Sequence, residues 1–192
     1  FTIITKKNFM LKIYDNKFDK FWLSELNHIL LNKEGWKANN VANRTTWPHK
    51  TSGTHRLLGM VHFRRADDNF IEYGENKSLN KTLIESFKHI LNFSGLNLKL
   101  LEICSNLQFK GMNGSPHTDG SSKQIAFILT LCDEDLPKNI GGEFIYKPKN
   151  KKISFKHGRL IQFPADSLHA GMSFNKPNHP RISIKYVGEF YD

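Results

Sequence analysis

The sequence predicts an α+β domain in which two helices buttress a β-sandwich or barrel. Three observations carry this. Apolar residues recur at helical spacing in two stretches of the first half. From residue 97 the chain breaks into short apolar runs, and the separators between those runs carry Gly, Pro, Asn or Asp. At 192 residues one domain, 1–192, is expected, with helical support and a lid loop in 1–96 and the strands in 97–190.

A first strand is expected over Asn8–Tyr14, where the residues alternate. From Asp19, Phe21, Trp22, Leu26, Ile29 and Leu30 form a helical stripe, and Gly35 offers a stop. Ser78 is placed to cap a second helix, whose stripe is Leu83, Ile84, Phe87, Ile90 and Leu91 before Gly95. Such stripes face a core. Between the helices, 36–77 reads as irregular and polar, and Trp47-Pro-His-Lys-Thr-Ser-Gly-Thr-His-Arg56 has the composition of a lid or binding loop. His49, His55 and His62 have no carboxylate at a useful spacing and read as surface histidines. Strands follow at Leu98–Cys104, around His117–Asp119, and at Gln124–Cys132, Glu143–Lys147, Ile153–Lys156, Arg159–Phe163, Ala170–Phe174 and Arg181–Val187.

Composition excludes more than it identifies. Hydrophobic residues are 39% and charged ones 24%, as in a soluble globular protein. No apolar run approaches the ~18 residues of a membrane span, so no membrane partner is expected. The start, Phe1-Thr-Ile-Ile-Thr-Lys-Lys, has neither a signal-peptide layout nor an initiating Met, and a trimmed N-terminus is expected. Cys104 and Cys132 sit in apolar runs as buried free thiols, which suits a reducing, cytoplasmic setting. The net charge of +10 is scattered apart from Lys147-Pro-Lys-Asn-Lys-Lys152, which reads as a solvated hairpin loop rather than a nucleic-acid contact.

The chemistry centres on Gly114-Ser-Pro-His-Thr-Asp-Gly120. On an extended backbone His117 and Asp119 leave the same face and offer two corners of a metal site. A second imidazole would complete a facial triad of two His and one carboxylate, which leaves three positions of an octahedral Fe(II) open. Three histidines follow. His157 precedes Gly158 in a turn, and His179 lies in the Pro177-Asn-His-Pro180 loop. His169, after the buried-type run Leu160-Ile-Gln-Phe-Pro164, opens a strand at a barrel rim and is the best third ligand. Farther on, Arg181 and Ser183 share one face of a strand while Ile182, Ile184 and Tyr186 take the other. An inward Arg and Ser need an anionic guest or a buried partner such as Glu102 or Glu143.

These residues together resemble the Fe(II)/2-oxoglutarate-dependent oxygenases. The matching motifs are His117-Thr-Asp119, Phe163-Pro-Ala-Asp-Ser-Leu-His169 and Arg181-Ile-Ser183, with Gly141-Gly-Glu-Phe144 matching a turn common in the fold. The resemblance covers roughly 98–190 and is nearest the prolyl-4-hydroxylase branch, especially compact microbial and viral members with Asn-x-Gln before His-x-Asp, here Asn106-Leu-Gln108. It implies a double-stranded β-helix (a jelly-roll, cupin-like) with the N-terminal helices on its larger sheet. It implies Fe(II) on His117, Asp119 and His169, with 2-oxoglutarate and O2 as co-substrates and ascorbate as a candidate reductant. Arg181 and Ser183, with Asn106 and Gln108, fall on co-substrate-binding positions. The implied reaction is hydroxylation of a C–H bond, first of a peptidyl residue such as proline, in the cytoplasm or in a host's cytoplasm for a viral chain.

A free amino acid or small metabolite is the alternative substrate. The stretch Phe127-Ile-Leu-Thr130 lacks the Tyr common in animal prolyl hydroxylases, and Arg181 follows the distal His by twelve residues rather than about nine. Both departures touch the substrate rather than the chemistry. The retained Asp119 argues against halogenation, and Val187 stands where base-repairing members carry a second Arg. The rivals of other classes are a non-catalytic cupin-like module holding a metal or ligand, and a structural zinc protein.

Overall fold

The computed structural model describes residues 10–41, 56–65, 71–132, 136 and 139–191. In chain order these form β1 (Lys12–Tyr14), α1 (Lys20–Leu31), β2 (Lys37–Val41), β3 (Arg56–Arg65), β4 (Ile71–Tyr73), α2 (Lys77–Ser94) and β5 (Leu98–Gln108). After them come β6 (Gln124–Leu131), β7 (Phe144–Tyr146), β8 (Lys151–Ile153), β9 (Leu160–Pro164), β10 (His169–Gly171) and β11 (Arg181–Phe190). All pairings are antiparallel. Eight strands make the main sheet in the order β1-β9-β6-β11-β5-β3-β2, with β4 on β3, and β10-β7-β8 make a smaller sheet. The α+β expectation is met.

Both helices lie on one face of the main sheet. In α2, Leu79, Leu83, Phe87 and Ile90 are buried at helical spacing, against Ile103 of β5 and Ile182, Ile184 and Tyr186 of β11. A fully buried side chain of this size contributes about 1.5–3 kcal/mol, so this layer holds the scaffold. The Oδ1 of Asn76 accepts from the Leu79 N–H at 3.0 Å, so Asn76 is the cap rather than Ser78. Gly95 ends the helix at φ 70°, a left-handed position where a Cβ is disfavoured. In α1 the buried row is Leu23, Leu26, Asn27 and Leu30, while Phe21 and Ile29 of the expected stripe are exposed. The helix stops at Asn32, three residues before Gly35.

The other face of the main sheet packs on the smaller sheet. Ala126, Ile128, Ile161 and Phe163 meet Phe144, Tyr146 and Ile153 there, in a second apolar cluster. The lysine-rich stretch turns between β7 and β8 through a 3-10 turn, with Asn150 left-handed and the lysines exposed, as expected for a hairpin.

Several expectations need correction. The span 36–77 is not simply irregular, since it supplies β2, β3 and β4. β3 hides from a period-2 reading because Gly59 interrupts it and the pairing with β5 shifts between Val61 and Phe63. His62 is the extra residue at that shift. It is buried rather than on the surface, 2.8 Å from Ser105 Oγ through Nε2. Residues 117–119 form no strand, only one bridge to His169. The strands expected at Ile153–Lys156 and Ala170–Phe174 run instead over β8 and β10. Cys132 is buried, but Cys104 is only half-buried. The Trp47–Arg56 loop, with His49 and His55, and the first two residues of Asn8–Tyr14 lie outside the described residues, apart from the backbone of Arg56.

Candidate metal centre

Backbone pairing brings the three candidate ligands together. The His117 and His169 amides each donate to the other's carbonyl, at 3.0 and 2.9 Å, and the Asp119 amide donates to Ala165 O at 2.8 Å. The loop 114–120 is thereby fastened along the segment leading into β10. Both rings are set alike. His117 Nδ1 lies 2.8 Å from Ser115 O, and His169 Nδ1 lies 3.0 Å from Ser167 O. A carbonyl accepts only, so each Nδ1 carries a proton, and Nε2 is the atom each ring has left to offer a metal. Those Nε2 atoms stand 3.6 Å and 3.2 Å from Asp119 Oδ1 and Oδ2.

One nitrogen from each ring and one Asp119 oxygen lie within 4.8 Å of one another, the only such His/Cys/Asp/Glu group found among the described residues. Asp119 Oδ2 is buried without a hydrogen-bond partner among the described residues. A ring that offers its Nε2 lone pair to a metal cannot also donate to this oxygen from the same atom. A divalent cation satisfies all three atoms at once, and the donor set suits Fe(II). Burial, reinforced by His169, lowers His117 to about 4, so its ring is neutral at pH 7. Burial alone would raise Asp119, but the charge of Lys185 and the neighbouring His169 hold it well below the usual carboxylate range.

A cavity of about 210 Å³ opens beside the triad, lined also by Asn106, Gln108, Arg181, Ser183 and Lys185. Arg181 is 1% exposed at the head of β11. Its Nη1 donates to Gln108 Oε1, and the Gln108 amide nitrogen donates to Met112 O at 2.7 Å and Gly171 O at 3.1 Å. Gln108 therefore braces Arg181. A Cβ at Gly171 would stand 3.3 Å from Arg181 Nη1, so glycine there leaves the guanidinium room. Arg181 Nε is buried without a partner, and no carboxylate forms an ion pair with Arg181 among the described residues. Burial lowers its pKa to about 10, which leaves it charged at neutral pH. Glu102 is paired elsewhere, with Arg64 and Lys185. Ser183 faces Asn106 across the β5–β11 ladder, so both sit on the cavity side.

The remaining candidates are elsewhere. His157 Nδ1 accepts from the Cys132 amide at 3.2 Å, a structural role, and His179 stays in its loop. Gly141 and Gly142 both have positive φ, and a Cβ on Gly142 would meet Phe174 at 2.5 Å, so this turn requires glycine ahead of β7. The sequence reading missed Lys185. The signal was available, since Lys185 continues the Arg181, Ser183 alternation on the same face.

No protein-family model and no curated protein matches this sequence. Solved structures do match. An oxidoreductase of the 2OG-Fe(II) oxygenase family from Burkholderia pseudomallei is 12% identical, with TM-score 0.68 over 93% of this chain and 84% of that one. The viral collagen prolyl hydroxylase of Paramecium bursaria Chlorella virus-1, solved with 2OG, is 14% identical, with TM-score 0.57 over 93% and 96%. A Trichoplax adhaerens prolyl hydroxylase, solved with a hypoxia inducible factor peptide fragment, is 14% identical, with TM-score 0.55 over 93% and 83%. The fold of this chain is the one found in 2OG-Fe(II) oxygenases and prolyl hydroxylases, the proteins its motifs resemble.

Proposed function

We propose that this chain is an Fe(II)- and 2-oxoglutarate-dependent dioxygenase that hydroxylates a C–H bond, with 1–192 as one double-stranded β-helix domain. His117, Asp119 and His169 are its metal ligands. Arg181 and Ser183 take the far carboxylate of 2-oxoglutarate, Gln108 holds Arg181 in place, and Asn106 completes that wall. The single observation that carries this reading is Arg181, a buried guanidinium with no ion-pair partner among the described residues, in the same cavity as the His117, Asp119 and His169 cluster. Burying a charge without compensation is costly, so an anionic guest is what the cavity is built to accept.

Iron bound at the triad supplies the activation of O2 that couples decarboxylation of 2-oxoglutarate to C–H oxidation. The protein's own residues do the rest. Nδ1–H donation to Ser115 O and Ser167 O turns both imidazoles toward one point. The planar Arg181 fork fixes a carboxylate through two parallel hydrogen bonds. Ile128 and Phe144 give the cavity an apolar wall that limits water. For the substrate, a peptidyl residue such as proline is favoured, because two of the three matching structures named above are prolyl hydroxylases and one of them holds a peptide fragment.

The test is succinate release from 2-oxoglutarate in the presence of Fe(II) and O2, with His169→Ala as control. Release by the wild type and background in the variant is expected. A wild type no better than its control makes the chain a binding module. Mass spectrometry of proline-containing peptides and free amino acids, seeking a product heavier by one oxygen atom, then separates the substrate classes.

A further inference from the structure

Lys185 follows Arg181 and Ser183 on the cavity face of β11, but it does not stand over the same part of the cavity. Its Nζ donates to Asp119 Oδ1 at 3.2 Å and lies 2.7 Å from Glu102 Oε2. The other oxygen of Glu102 takes Arg64 Nη2 at 2.9 Å, and Arg64 Nε lies 3.2 Å from the same atom. Arg64, Glu102, Lys185 and Asp119 thus alternate in charge along a line from β3 through β5 and β11 to the triad. Arg64 also lies 3.9 Å from Glu72 Oε2, so the two cations are matched by at least as many carboxylates. Lys185 therefore presents little uncompensated positive charge to a metal, and the repulsion expected of a lone ammonium beside a cation is largely cancelled by Glu102.

The two oxygens of Asp119 are treated differently. Oδ1 is hydrogen-bonded by Lys185, whereas Oδ2 is buried with no hydrogen bond among the described residues and stands beside His169 Nε2. A carboxylate free at both oxygens can turn about its last bond, and one held at Oδ1 cannot. We propose that Lys185 is a positioning residue that occupies Oδ1 of Asp119 and presents Oδ2 as the metal-binding atom, anchored in turn by Glu102 and Arg64. The inference rests on reading the triad as a metal site. It adds that a hydrogen-bonded ladder crossing three strands sets the geometry of the only anionic ligand.

The experiment is equilibrium titration of the full chain with Co(II), followed by its d–d absorption, without any organic ligand. Wild type, Lys185→Met, Lys185→Arg and Glu102→Gln are compared, with His169→Ala as the control for site occupancy. Outer-shell partners of metal ligands typically contribute about 10–100-fold to affinity, and a loss in that range is expected for Lys185→Met, with an altered spectrum. Lys185→Arg should recover both, because it keeps a cationic donor. Glu102→Gln should weaken Co(II) binding in the same direction but less. If Lys185→Met fails to fold, Glu102→Gln and Lys185→Arg decide the matter by the same readings. Wild-type affinity and spectrum in Lys185→Met overturn the proposal. So does an unchanged Co(II) site with a selective loss of 2-oxoglutarate affinity, which would make Lys185 an anion-binding residue. A wild type that binds no Co(II) through His169 removes the metal reading itself, and this inference with it.

Discussion

The two faces of β11 teach different things about this molecule. Toward the helices the strand presents Ile182, Ile184 and Tyr186, all fully buried and packed with Leu83, Phe87 and Ile90 of α2. Toward the smaller sheet it presents Arg181, Ser183 and Lys185, all lining the cavity with the triad. A period of two thus separates what holds the sheet together from what the sheet holds. Substitutions on one face should be readable without disturbing the other, and that independence can be tested.

The largest effect is expected at Arg181. Removing one partner of a buried charge-assisted pair costs about 2–5 kcal/mol, or roughly 30- to several-thousand-fold in affinity for 2-oxoglutarate. Arg181→Lys should recover part of this, since it keeps the charge but loses the planar fork. Ser183→Ala should cost on the order of 1 kcal/mol. Co(II) affinity should hold in all three. The apparent KM for 2-oxoglutarate, with metal content measured alongside, checks this, and an unchanged KM in Arg181→Ala would place the anion elsewhere.

The opposite face should respond in stability alone. Leu83 is fully buried in the helix-side cluster. Leu83→Ala removes that packing and leaves a cavity, at a cost of about 2–5 kcal/mol. Urea unfolding should show the loss, while turnover per folded molecule and the KM for 2-oxoglutarate stay at wild-type values. A shifted KM would mean that the two faces are mechanically coupled through the strand.

This separation also explains what could be read in advance. The α2 stripe and the β11 alternation are long and regular, so both the scaffold face and the Arg181–Ser183 pair were legible. His117, Asp119 and His169 were legible as ligand types, but their meeting depends on backbone bridges between 117 and 169 and between 119 and 165, which no local spacing encodes. Gln108 was read as a co-substrate contact, yet its donors go to Met112 O and Gly171 O and its oxygen to Arg181. In α1 the buried row passes through Asn27, and that polar residue at a core position masked Leu23 while Phe21 and Ile29 drew the stripe toward solvent. β3 was missed because a bulge at His62 and a glycine at 59 break its alternation.

That bulge supplies the last and most pH-dependent effect, at a buried polar pair on the helix side. His62 is 1% exposed and meets Ser105, which is fully buried in β5. Burial lowers its pKa from 6.5 to about 4. Between those values the unfolded chain holds a proton on His62 that the folded chain refuses. Stability is therefore full above pH 6.5, falls as the pH drops toward 4, and levels off below. Over the whole window the loss is at most about 3 kcal/mol, and near pH 5.5 about half of that. His117, lowered in the same way, adds its own slope in metal-free protein, so the wild-type curve alone does not isolate His62. The difference between wild type and His62→Gln does, because Gln keeps a polar partner for Ser105 Oγ but does not titrate. Urea midpoints at pH 7, 5.5 and 4.5 should fall less steeply in the variant. Equal slopes would mean that His62 takes its proton without cost, and that the helix side of the sheet tolerates a buried charge as readily as the cavity side does.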